Sequence, residues 1–125
     1  MKKKDFEIKF YEGILKKRPN FIEVLSLLGD SYTKKGFYEE GLAVDKKLAS
    51  LKPDDPIVHY NLACSLSILG KTKAALVELK KAALFGYDDF SYMDKDRDLE
   101  NLRKLPEFQK FSAKLKNLEK QISEL

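Results

Sequence analysis

The chain has 125 residues, enough for one shared core and too few for two independent ones. With 43% hydrophobic and 35% charged residues it reads as a folded chain with a mixed surface, not a disordered tail. The net charge of +4 comes from 24 basic and 20 acidic residues interspersed along the sequence, without the concentrated basic patch that a phosphate backbone demands, so nucleic acid is disfavoured as a partner.

The basic start Lys2-Lys3-Lys4 resembles the opening of a signal peptide, but the charges of Asp5-Phe6-Glu7-Ile8-Lys9 interrupt any apolar secretory core. No run approaches the roughly 18 apolar residues that a membrane span requires, so a cytoplasmic protein is expected, either whole or cut from a longer chain. Asp5 to Lys17 predicts a lone helix with Tyr11 and Ile14 facing inward. A helix over residues 22–35 follows, its large residues Leu25, Leu28 and Tyr32 three or four apart on one face and the small Gly29 where a neighbour crosses closely. Gly36 ends it, and Leu42, Leu48 and Leu51 mark a second helix. Lys52-Pro53-Asp54-Asp55-Pro56 then breaks the chain and offers an acidic N-cap. The pattern repeats with a helix over 56–69, a stop at Gly70, and a partner helix carrying Ala75, Leu79 and Ala82. Farther on, Asp98 is placed to cap a short helix and Pro106 to start the last one.

Displaced by 34 places, the sequence falls into register with itself: Pro19 on Pro53, Leu28 on Leu62, Gly36 on Gly70, Leu48 on Ala82, Asp54-Asp55 on Asp88-Asp89. Tyr60-Asn61-Leu62-Ala63 is similar to the Tyr-Asn-Leu-Gly core of the tetratricopeptide repeat, and Leu25, Leu28, Gly29 and Tyr32 match its large, large, small, large places. Asp96-Arg97-Asp98-Leu99-Glu100-Asn101-Leu102-Arg103, followed by Pro106-Glu107-Phe108-Gln109, resembles the motif that closes many bacterial arrays of this family, with Arg97 in place of a proline. Gly41, Asp45 and Tyr87 depart from the family's alanine, aromatic and proline. The resemblance implies an all-α fold: a short right-handed α-solenoid of antiparallel helix pairs with a C-terminal capping helix. Its expected parts are a half repeat at 5–21, repeats at 22–55 and 56–89, and terminator and capping helices at 90–125.

The sequence offers no constellation for catalysis, so the expectation is not an enzyme and no cofactor. The glycines are scattered at turns and packing sites rather than forming a phosphate loop. His59 stands at a large-residue place and reads as a core residue satisfied by a nearby carbonyl. The one cysteine, Cys64, excludes an intrachain disulfide and a thiol metal cluster; it lies about 140° round the helix from His59, so the two do not converge. Asp94, Asp96, Asp98 and Glu100 alternate like a calcium loop but lack its glycine and distant glutamate, so helix capping is expected there and no metal.

What the resemblance leaves is surface. The first helices of the repeats would line a concave groove with Glu23, Ser26, Asp30, Thr33 and Lys34 on one side and Ile57, Tyr60, Asn61, Cys64, Ser67 and Ile68 on the other, suited to a peptide or helix of a protein partner. One subset of the family clamps the C-terminal carboxylate of heat-shock chaperones with lysine, asparagine and arginine. Asn61 matches one clamp place, but Ser26 and Asp30 occupy others and Asp30 would repel a carboxylate, so no clamp is expected. A second surface is the stripe Phe108, Phe111, Leu115, Leu118, Ile122 and Leu125. Its last three members are expected to outrun the body and are candidates for homodimer contacts; the bare N-terminal half repeat is another place for self-association.

Overall fold

The computed structural model describes residues 2–125. Among them, eight α-helices and one 3-10 turn follow in chain order: α1 Phe6–Lys17, α2 Ile22–Lys34, α3 Tyr38–Leu51, α4 Pro56–Ile68, α5 Thr72–Leu84, α6 Phe90–Met93, the turn Arg97–Leu99, α7 Glu100–Arg103 and α8 Pro106–Ser123. From α1 to α5 each helix packs on the next, the sequential arrangement of a helical-repeat solenoid, and no strand interrupts it among the described residues.

Local chemistry sets the boundaries. The Asp5 carboxylate accepts the Ile8 amide at 3.0 Å to open α1. Asp55 does the same for α4, accepting Ile57 N at 2.9 Å and Val58 N at 3.3 Å, with Pro56 in the first turn where its missing N–H costs nothing. At the other ends, Gly36 and Gly70 adopt φ of 84° and 77°, and the residue after each donates back across the turn: Phe37 N to Tyr32 O at 2.8 Å, Lys71 N to Leu66 O at 2.9 Å. This C-terminal turn reverses the chain into the second helix of each pair, and it demands a left-handed residue.

Small residues let the paired helices approach. A Cβ on Gly41 would sit 2.9 Å from Thr33 Oγ1, and one on Gly29 would sit 3.3 Å from Val44 Cγ1. In the next pair the same places hold Ala63 and Ala75, both fully buried. The larger core gathers Leu62, Leu66, Leu76 and Leu79 with Met93, Leu99, Leu102 and Phe108 from the closing segment; a smaller one joins Ile8, Leu28 and Tyr32. Each fully buried side chain of this size contributes roughly 1.5–3 kcal/mol.

Two expectations change. On α1 the innermost residue is Ile8, flanked by Tyr11 and Leu15, while Ile14 is only half-buried beside that seam; the three lie on one helical face at spacings of three and four. Asp98 does not cap: Asp96 accepts the Asp98 amide at 3.0 Å, two residues earlier than expected, and caps the 3-10 turn. The closing segment is latched to α4 by Ser67, whose hydroxyl accepts Leu102 N at 3.1 Å and whose carbonyl accepts Asn101 Nδ2 at 2.9 Å. On α8, Phe108 is buried and Phe111 and Leu115 pack against the core, whereas Leu118, Ile122 and Leu125 are exposed by 54%, 68% and 105%.

Two glycine substitutions separate turn geometry from packing. A Cβ at Gly70 meets nothing within 4 Å, yet its φ of 77° strains any L side chain, so Gly70→Ala is expected to destabilise the fold by about 1–2 kcal/mol. Gly13, inside α1 and equally unobstructed, has helical φ, and Gly13→Ala is expected to stabilise by about 0.5–1 kcal/mol. Urea unfolding of both variants checks the opposite signs.

Candidate functional site

The faces of α2 and α4 that the core leaves free confront each other across a cavity of about 390 Å³. Ser26, Asp30 and Thr33 line it from α2, spaced four and three so that they share a stripe; Ile57, Tyr60, Asn61 and Cys64 do so from α4. Asp45 and Leu48 of α3 lie between the two, and the closing segment adds Tyr92, Asp96 and Asp98. The concavity therefore needs two helix pairs and the segment after them.

Of the residues expected in the groove, the structure brings together Ser26, Asp30, Thr33, Ile57, Tyr60, Asn61 and Cys64. Glu23 and Lys34 are exposed at the ends of α2, off the cavity. Ser67 and Ile68 lie outside it as well: Ser67 is fully buried in the latch to Asn101 and Leu102, because the closing segment folds back over the C-terminal end of α4. Tyr60 and Cys64 are wall rather than rim, exposed by 5% and 7%. The Tyr60 ring stacks on Tyr87 with centroids 4.2 Å apart, and its hydroxyl donates to Asp96 Oδ2 at 2.7 Å. Asn61 is exposed at the rim, with no neighbouring helix taking its amide among the described residues.

Beyond the repulsive Asp30, the electrostatics of the site were not expected from sequence. Asp30, Asp45, Asp55, Asp96 and Asp98 all line the cavity, and no lysine or arginine does. Asp45 is 8% exposed and accepts a hydrogen bond from the Ser65 hydroxyl. Burial pushes its pKa up from 3.8 to about 6, opposed by the Ser65 bond and assisted by the charge of Asp30. Burial, then the nearby Asp96 charge, also raises Asp98. Asp96 is 7% exposed, its carboxylate held by Tyr60 OH and the Asp98 amide. Arg103 reaches the same residue at its backbone carbonyl, 2.5 Å away, and not at its side chain.

Cys64 Sγ and one carboxylate oxygen each from Asp96 and Asp98 fall within 4.8 Å of one another, the one grouping of metal-ligand type among the described residues. Burial, followed by the charges of Asp96 and Asp98, pushes the thiol pKa far up, so it is a neutral donor toward Asp96 Oδ2 at 3.8 Å. His59 lies away from the groove, buried, with Nε2 2.6 Å from Pro53 O and Nδ1 2.7 Å from Glu78 Oε2. The carbonyl partner matches the sequence reading; Glu78, from α5, adds a bond between helices.

Asp45 makes stability depend on pH with a defined sign. Below about pH 3.8 the carboxyl is protonated in both folded and unfolded chains and carries no penalty. Between 3.8 and about 6 only the unfolded chain ionises, so stability falls as pH rises and then levels, a penalty of up to about 3 kcal/mol. Asp45→Asn is therefore expected to stabilise the fold by about 1–3 kcal/mol at neutral pH, the gain shrinking toward zero near pH 4. Urea unfolding across that range checks it.

No protein-family model matches the chain, and no solved structure matches it. Among curated proteins it is similar to a chloroplastic protein of Arabidopsis thaliana, 37% identical over 83 residues. That alignment covers 64% of this chain and 25% of the relative, so the chain spans about a quarter of the length of the curated protein it matches.

Proposed function

We propose that the chain is a tetratricopeptide-type protein-interaction module that holds an extended segment or a helix of a partner in the groove between α2 and α4. The observation that carries this reading is the cavity itself, of about 390 Å³, formed by equivalent faces of the first helices of two successive pairs and left open at Asp30 and Asn61. The 34-residue recurrence supports the family: Gly36 and Gly70 make the same turn, and Gly29 and Gly41 correspond to Ala63 and Ala75 at the close crossings. A cytoplasmic address belongs to the same reading; the chloroplastic one is the relative's.

Site-specific photo-crosslinking tests the groove. A photoreactive residue in place of Ser26 or Asn61 is expected to trap a discrete partner, whereas the same residue at Lys73, exposed on α5, traps none. Equal adducts from all three positions would reject the groove as the docking face.

A second reading rests on the exposed Leu118, Ile122 and Leu125 of α8, which continue the stripe that Phe108 and Leu115 bury. In it the chain self-associates through these turns. Light scattering on a sizing column is expected to show a concentration-dependent dimer that Leu118→Ser with Ile122→Ser abolishes; a monomer at high concentration would remove this reading.

A further inference from the structure

We infer that the occupant of this groove is a cationic segment of a partner protein, which sets arginine or lysine side chains against Asp30, Asp45, Asp96 and Asp98. The inference rests on the groove being the docking face and names what that face takes.

Charge partition is the first ground. The chain as a whole is basic, at +4, yet five aspartates and no lysine or arginine line the cavity. The ion pairs among the described residues are Lys4 with Glu12, Lys35 with Asp5 and Glu7, His59 and Lys81 with Glu78, and Lys116 with Asp94. None of these carboxylates lines the groove. With so many lysines available, the cations pair elsewhere.

The second ground is the state of the two deepest carboxylates. Asp45 and Asp96 are 8% and 7% exposed, so each is more than nine-tenths buried. Asp45 Oδ2 takes the Ser65 hydroxyl; Oδ1 has no protein donor among the described residues and opens onto the cavity, where an incoming donor can reach it. Asp96 is held by uncharged donors alone, the Tyr60 hydroxyl, the Asp98 amide and the Cys64 thiol. A buried charge without a counter-charge is costly, and its natural remedy is a cation supplied from outside.

The layout favours a chain over a single ion. The metal-like grouping includes only Cys64, Asp96 and Asp98; Asp30, Asp45 and Asp55 stand apart from it along the walls of a cavity of about 390 Å³. Several separated carboxylates suit several cationic side chains on one segment. Arginine suits them best, since its planar fork donates to two carboxylates at once and stacks on an aromatic face such as Tyr92, 48% exposed beside the cavity. The same charges exclude a segment that ends in a free carboxylate.

Fluorescence anisotropy on the full chain tests this with three labelled peptides of equal length and identical apolar residues, whose alternate positions are arginine, glutamine or glutamate. The arginine peptide is expected to bind about tenfold or more tighter than the glutamine peptide, and the glutamate peptide not at all. Asp30→Asn with Asp98→Asn should weaken the arginine peptide about tenfold, while Glu107→Gln with Glu119→Gln, exposed on α8, leaves it unchanged. Asp45→Asn should weaken it while raising the unfolding midpoint in urea, a pairing that simple loss of structure cannot produce. Equal affinity for the arginine and glutamine peptides, or equal weakening by the α8 variants, would overturn the inference. Binding of calcium or magnesium alone that is lost in Asp98→Asn would overturn it too, giving the carboxylates to a metal. If the glutamine peptide binds as tightly and crosslinks at Asn61, the charge inference fails and the groove survives. If none of the peptides binds or crosslinks, both fall.

Discussion

Asp96 is the residue on which the geometry of the groove turns. Its carboxylate accepts the Tyr60 hydroxyl of α4 and the amide of Asp98, and its carbonyl accepts Arg103. One buried residue thus caps the 3-10 turn, fixes the closing segment against α4 and holds the Tyr60 ring flat on Tyr87. Without that node the segment after α5 would have no polar anchor on the groove side, and the cavity would lose its third wall. Two turns farther along the same face of α4, Ser67 latches the segment again through Asn101 and Leu102, so α4 grips the closing turns at two points.

This construction has an electrostatic cost. Burying Asp45 near Asp30, and Asp98 near Asp96, raises the proton affinity of Asp45 and Asp98, and burial is the largest cause for each. Interiors normally avoid uncompensated carboxylates. Here they are tolerated where the helices leave a cavity, while apolar packing at Leu79, Met93, Leu99 and Leu102 supplies the stability that offsets them. The cost falls where it confers a recognisable surface property, a negative concavity on a positive molecule. Such a division between scaffold and surface suits a stack of helix pairs, in which core and groove residues occupy different faces of the same helix.

Much of the architecture was legible because it is written locally. Glycines that need positive φ mark the turns, Asp55-Pro56 marks a helix start, and large residues at spacings of three and four mark buried faces. The partition of the α8 stripe, covered as far as Leu115 and exposed from Leu118, also followed from helix length against the expected body. The groove was half legible. Ser26, Asp30, Ile57 and Asn61 follow from the free faces of α2 and α4, yet Ser67, one turn beyond Cys64 on the same face, is sealed because a distant segment covers it.

Apart from Asp30, the acidic character of the groove was invisible for a related reason. Asp45 and Asp96 are far apart in the chain, and the net charge of +4 averages over lysines that end up on other surfaces. The amino-acid sequence by itself determined what depends on neighbours a few residues away: helix limits, turn conformation, the inward faces and the 34-residue recurrence. Tertiary structure alone decided which carboxylates meet, how deeply each is buried and which residues a folded-back segment removes from the groove. Burial and charge coupling depend on distance in space, and chain order fixes that distance only after the helices have packed.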